Sequence, residues 1–226
     1  MRNLENDYYK QNEIVKRLLS ANWKYGKTLL DIAVETDNIK IVKDVVALGV
    51  NINATNDRNN TVLFNRINNV KVVEFLLKKG IDPNIKNTNG DIAISHHIWN
   101  VESVKLLAPI SDFDDQKRFG NMPLLHALIE DSRVPLVVIK EFLKYSKNLN
   151  VLWENCTILM SAAKMRENKE MILMIARSGI DLHVEDEEGR DFYDLCYKNV
   201  QKEIEKQFPE FMERKRLRAD VNKYNL

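Results

Sequence analysis

The stretch "LLKKGIDPNIKNTNGDIAISHH", Leu76 to His97, decides how this chain is read. It begins as the end of an apolar helix, breaks at Gly80, and turns at Asp82-Pro83-Asn84 and again at Asn89-Gly90. It then resumes as something apolar and ends on two adjacent histidines. A glycine at such a place supplies the left-handed residue that stops a helix, and Asp-Pro-Asn and Asn-Gly are turn sequences. The stretch is therefore either a catalytic loop leading to a histidine pair or a joint between copies of a repeated unit.

Repetition decides between the two. "VVALGVNINATNDRNNTVL" (Val45 to Leu63) aligns with "LLKKGIDPNIKNTNGDIAI" (Leu76 to Ile94), pairing Gly49 with Gly80, Asn51 with Asp82 and Asn53 with Asn84. The frame returns in "IARSGIDLHVEDEEGRDFYDLC" (Ile175 to Cys196), with Gly179, Asp181 and Gly189 in the matching places. In the first copy Leu29, Leu30, Ile32 and Ala33 form a short apolar stretch. A second helix follows, with Ile41, Val42, Val45 and Val46 on one face. Neither helix is long enough to stand alone, so each pair must bury its apolar face on the next pair.

These residues resemble the ankyrin repeat family, whose pattern runs roughly G-x-T-P-L-H-x-A-A, two helices, then L-L-x-x-G-A-D-x-N. "GKTLLDIAV" (Gly26 to Val34) with "DVVALGVNIN" (Asp44 to Asn53) fits one unit; "NNTVLF" with "FLLKKGIDPN" fits a second. "NGDIAI" with "KLLAPISDFD", "GNMPLLHAL" with "EFLKYSKNLN", and "NCTILMSAA" with "IARSGIDLH" fit three more, and "EGRDFYDLC" opens a sixth. The resemblance implies an all-α fold, a solenoid of stacked helix pairs with projecting β-hairpin-like loops. It places one ankyrin-repeat domain over residues 1–226, with repeats at about 24–56, 57–87, 88–117, 118–152 and 153–186. Residues 1–23 would carry a capping helix (Asn12 to Ala21), and 187–226 a capping repeat with a charged amphipathic helical tail that Pro209 divides.

No unit keeps an intact T-P-L-H. Thr28 and Thr157 keep the threonine, Pro123 keeps the proline, and His126 sits one place late. In the family this motif ties the first helix to its neighbours by hydrogen bonds. The departures imply an array that leans on apolar stacking, with frayed helix ends in the short second and third units.

The composition agrees with such an array. The chain has 226 residues, 44% apolar and 30% charged, enough for a buried core. A formal net charge of +1 gives no global case for nucleic acid or an anionic membrane. No apolar run is long enough to span a bilayer, and the start MRNLENDYYKQNE does not read as a secretory signal. Two cysteines, Cys156 and Cys196, make a disulfide framework improbable and point to a cytosol, the cell's own or a host's. The abundance of Ile, Lys and Asn reads as the mark of an AT-rich genome.

No enzyme chemistry is visible in the sequence. His96 and His97 are adjacent, so on a helix they point in different directions and cannot form a two-ligand zinc site unaided. One is expected to be packed and the other exposed. His126 reads as a hydrogen-bonding residue near a helix start, and His183 as a stand-in for a loop asparagine. Cys196 should be buried and inert, while Cys156 lies near a loop tip and could be exposed. The acidic pairs Asp114-Asp115 and Glu187-Glu188 fall in loops, and no phosphate-binding or nucleophile motif occurs. No catalytic residue, metal or cofactor is expected. In the tail, Arg214, Lys215, Arg216 and Arg218 form a solvated helix face or a nuclear-localisation or acidic-partner patch.

The resemblance implies a protein partner on a concave face made by loop tips and first helices, and no nucleic-acid, membrane or small-molecule ligand. Carried over residue by residue, loop tips fall at Tyr25, Arg58, Asn89 and Phe119, with Trp153 one place earlier in its unit. First-helix ends fall at Glu35, Thr36, Trp99, Lys164 and Met165. Aromatic residues, Met and Arg anchor protein interfaces, so the expected binding surface is Tyr25, Arg58, Trp99, Phe119, Trp153 and Met165. The alternative is that Trp99 and Trp153 turn inward to fill space. The divergent motifs are similar to those of poxviral and intracellular-bacterial ankyrin proteins, which would imply a modulator of a host signalling protein. The short tail "EKQFPEFMERKRLRADVNKYNL" leaves a substrate-recruiting adaptor for a ubiquitin ligase as the other reading.

Overall fold

Thr28 opens the first helix through a reciprocal bond with Asp31. Asp31 N donates to Thr28 Oγ1 at 3.1 Å, and Thr28 N donates to Asp31 Oδ2 at 2.7 Å. Such a capping box satisfies two helix-end donors at once, and it supports helix α1, Leu29–Glu35. The structure, a computed structural model, describes residues 27–118, 121–165 and 168–224. The expected capping helix at Asn12 to Ala21, Tyr25 and Phe119 lie outside the described residues. Among the described residues the fold is all-α, apart from one short hairpin, and divides into two compact units, the first ending at Gln116 and the second beginning at Lys117.

In the first unit, second helices α2 (Ile39–Ala47), α3 (Val70–Lys78) and α4 (Val101–Leu107) form one layer. The facing layer is α1 followed by two single 3-10 turns, Val62–Phe64 and Ala93–His96. The core between the layers holds Val42, Val45, Val72, Val73, Leu76, Ile94, Ile98 and Leu107. The second and third first-helices are thus not frayed α-helices but single turns, and both lack the side-chain cap that opens α1. Thr61 stands where Thr28 does, but position 64 is Phe, which offers no acceptor, and Thr61 makes no side-chain cap bond. Ile92 has no hydroxyl to cap with.

Asparagine starts almost every second helix. Asn38 accepts from Lys40 N, Asn69 from Lys71 N, Asn100 from Ser103 N, and in the second unit Asn168 from Met171 N. These are N-caps, each worth about 1 kcal/mol over alanine. The chain leaves α2 and α3 through Gly49 and Gly80, at φ +79° and +86°.

The second unit opens with an antiparallel hairpin, β1 (Lys117–Arg118) and β2 (Met122–Pro123), pairing Lys117 with Pro123. Then come α5 (Leu124–Glu130), α6 (Leu136–Tyr145), α7 (Ile158–Lys164), α8 (Lys169–Ala176) and α9 (Phe192–Leu195). First helices α5, α7 and α9 pack in sequence, as do second helices α6 and α8. Leu124, Leu128, Ile139, Phe142, Ile158, Met160, Ile172, Ile175 and Phe192 fill the space between.

The tail is two helices, α10 (Lys198–Gln207) and α11 (Pro209–Tyr224), divided at Pro209 as the sequence suggests. Only α10 is amphipathic along its length, burying Val200 and Ile204. Among the described side chains of α11 only Phe211 is buried, against Phe192 and His183, with ring centroids at 5.3 and 5.1 Å. Leu217 and Val221 face solvent.

Candidate protein-binding surface

The projecting loops are built the same way in several units. Asn51, Asp82, Asn148 and Asp181 each accept from the amide two residues on, the side-chain turn expected of Asx residues. Asn56, Asn87 and Asp186 then close the tips, each accepting from two amides, two and four residues on. In the last of these loops the Arg190 guanidinium holds the Asp186 carboxyl down at about 2. Arg190 also pairs with Glu188 at 2.7 Å, so the acidic loop is a braced turn.

Neighbouring loops are joined by asparagine. Asn53 Oδ1 accepts from Asp82 N, Asn84 Oδ1 from Asp112 N, and Asn150 Oδ1 from Asp181 N, at 2.8, 2.8 and 2.9 Å. Polar bonds also join the first-helix layer. Asn65 Nδ2 donates to Asp31 Oδ1 at 2.9 Å, and His97 Nε2 donates to the Leu63 carbonyl at 2.7 Å. His126 Nε2 donates to the Val151 carbonyl at 3.0 Å, and its Nδ1 takes the Ser161 hydroxyl at 3.3 Å. The expectation of an array that leans on apolar stacking is therefore incomplete. Where the family motif is lost, other polar residues make the links between units.

The histidine pair divides as expected. His97 is buried, while His96 is exposed with its ring edge-on to Phe64 at 5.2 Å. His183 N bonds its own loop. Cys196 is buried, and burial, with a smaller contribution from the Asp191 charge, pushes its thiol up to about 12. Cys156 corrects the exposed reading. It is buried, because the Trp153–Cys156 backbone bridge folds it under a tight turn, and Lys164 Nζ lies 2.9 Å from its Sγ. Among the described residues no group of three or more His, Cys, Asp or Glu is placed to hold a metal, and no helix is long and apolar enough to cross a membrane.

The expected surface residues occupy two kinds of place. Arg58 is exposed at a loop tip, its carbonyl accepting from Thr88 N at 2.9 Å. Trp153 is half-buried at the foot of a two-residue turn, Glu154-Asn155, both at positive φ (+48° and +59°). Trp99 and Met165 instead lie where a first element hands over to a second helix. Met165 follows α7 and lines a 520 Å³ cleft with Asp131, Arg133 and Asn168. Trp99 precedes α4, is 48% exposed, and lines a groove of 590 Å³ with Arg66, Asn68, His96, Asn100 and Glu102. Arg58 is not part of that groove, nor Trp153 of the Met165 cleft. Sequence reasoning passed over Arg66 and Asn68. The signal was the repeat itself, since they stand one 31-residue step before His97 and Trp99.

The basic tail is partly occupied. Lys215 Nζ bonds both Asp191 Oδ2 and Asp194 Oδ2 at 2.6 Å, and Arg218 reaches Glu185 at 3.5 Å. Arg214 and Arg216 are exposed. The solvated-face reading therefore holds for only part of the segment.

Residues 7–87 match the family model described as ankyrin repeats (3 copies). No curated relative matches the sequence. Among solved structures, an ankyrin repeat domain from Acinetobacter baumannii AYE aligns at TM-score 0.63 and 16% identity, over 76% of this chain and 94% of that one. EF0377, an ankyrin repeat protein, aligns at 0.61 and 18%, over 82% and 97%. The ankyrin repeat domain of Bcl-3, a member of the IkappaB protein family, aligns at 0.60 and 19%, over 88% and 96%. At these identities the likeness is one of fold. Fold and matched repeats agree: residues 7–87 match ankyrin repeats, and the chain has the ankyrin-repeat fold.

Proposed function

We propose that the protein is a non-catalytic scaffold that holds another protein, with Trp99 as a principal anchor. Ankyrin repeats are generally protein–protein interaction modules. The observation that carries the proposal to this chain is the 48% exposure of Trp99 over a groove with Arg66, Asn68 and Glu102. A tryptophan in that setting gains from covering by a partner, and its neighbours supply the polar rim of an interface. Arg58, Trp153 and Met165 would add contacts at the loop tips and the other handover point. The divergent motifs support placing the partner in a host cell's signalling machinery, with action in the cytosol. Nuclear entry would have to rely on Arg214 and Arg216, since Lys215 is held in the fold.

The test is affinity purification from host-cell cytosol with the full chain and a Trp99→Ala variant, followed by mass spectrometry. The proposal expects a partner retained by the parent and depleted at least about tenfold with the variant, whose melting temperature is unchanged. Equal recovery with both would remove Trp99 from the interface.

The adaptor reading finds some support in α11, where Leu217 and Val221 are 59% and 55% exposed one helical turn apart. It requires a ligase core subunit that co-purifies with the chain and is lost with Leu217→Asp.

A further inference from the structure

The groove between α6 and α8, on the second-helix side of the second unit, measures 680 Å³, and apart from the buried Leu143 its lining residues lie outside the core. Both helices already bury a full face, Val138, Ile139 and Phe142 on α6 and Met171, Ile172 and Ile175 on α8. An outward row should then be polar. Here it carries Leu136 and Val137, the latter 41% exposed, with Met174 half-buried across the groove.

Charge is biased around this apolar floor. Lys140 and Lys144 follow Leu136 at four-residue steps, so the three stand in one row along α6. Arg177 lies on the α8 side, and Glu170 is the one carboxylate in the lining. Three cations against one anion stand out in a chain whose formal net charge is only +1. A row of apolar contacts edged by cations is the complement of a helix with an apolar stripe and acidic flanks.

We propose that this groove docks an acidic amphipathic helix of a partner protein. The site is independent of the Trp99 groove, which lies in the other unit, and each can fail without the other. A second copy of this chain is a poor occupant. Its exposed apolar pair on α11, Leu217 and Val221, is flanked by Arg214, Arg216 and Arg218 as well as by Glu213 and Asp220, so it lacks the uniformly acidic flanks that the groove complements.

The test uses the full chain and two fluorescein-labelled helical peptides with the same leucine stripe, one flanked by Glu and one by Lys. Anisotropy is read in about 50 mM and about 300 mM NaCl, where screening differs strongly. The expected result is binding of the Glu peptide at least about tenfold tighter than the Lys peptide, weakened by salt. A Lys140→Glu, Lys144→Glu double variant with an unchanged melting temperature should lose at least about tenfold, while Trp99→Ala loses nothing. Equal binding of the two peptides, no binding of the Glu peptide, or undiminished binding by the charge-reversed variant overturns the proposal. So does a dimer in sedimentation velocity that Val137→Lys dissolves, because the groove would then belong to self-association.

Discussion

Asn53 Oδ1 accepts a hydrogen bond from Asp82 N at 2.8 Å, and one unit later Asn84 Oδ1 makes the same bond to Asp112 N at the same distance. Each bond ties a projecting loop to the next through an amide that the turn leaves unused. Replacing either asparagine by alanine should cost about 1 kcal/mol, the net worth of an ordinary hydrogen bond. Urea denaturation of Asn53→Ala and Asn84→Ala measures it, and unchanged midpoints would show the bonds to be incidental.

The buried histidines give stability a pH dependence. Burial holds the His97 imidazole below the ordinary histidine range and outweighs the Leu63 carbonyl, which pulls the other way. His126 is lowered for the same reason against the Val151 carbonyl. With native values depressed, the unfolded chain takes up protons first as the pH falls. The stabilisation is therefore complete above the unfolded value of about 6.5 and is lost as the pH drops from there toward the native values. Urea midpoints at pH 7.5 and 5.5 should differ, lower in acid, and His97→Gln should shrink the difference. A midpoint constant across that window would contradict the assignment.

Much of this fold could be read in the sequence. The glycines at 49, 80, 179 and 189, with the Asn and Asp residues around them, set the frame, and Pro209 divided the tail. The polar detail was less legible. Asparagine abundance read as a trace of genome composition, yet these residues cap α2, α3, α4 and α8 and join the loops. The family's own linking motif, T-P-L-H, was missing, and nothing local marks Asn65 as the partner of Asp31, which is 34 residues away. The binding candidates were legible as residue types but not as neighbours. Trp99 stood out as an aromatic, whereas Arg66 and Asn68 become its companions only when successive units are stacked.

Glu154 occupies a left-handed backbone position (φ +48°) in the two-residue turn between Trp153 and Cys156. Side chains other than Gly, Asn and Asp pay for that conformation. Glu154→Asn should raise stability by about 0.5–1 kcal/mol, read as a higher melting temperature. A fall would mean that the carboxylate makes a compensating contact.

Lys215 clamps α11 to the start of α9, bridging Asp191 and Asp194 at 2.6 Å each. Lys215→Met leaves two carboxylates facing each other, one of them buried. Stability should fall by about 1–3 kcal/mol, with faster hydrogen exchange along α11. Adding Asp194→Asn to Lys215→Met should restore part of the loss, which a purely steric role for the lysine chain would not allow.

The capping asparagines carry a consequence for acid. An amide has no proton to gain over the range in which carboxylates and imidazoles titrate, so the caps of α2, α3, α4 and α8 are as strong at pH 4 as at pH 8. Aspartate in the same places would cap as well at neutral pH and let go on acidification. Sensitivity to acid is thereby removed from the second-helix starts and left to groups that do titrate, among them the buried histidines of the first layer and the Asp186 carboxylate of the last loop.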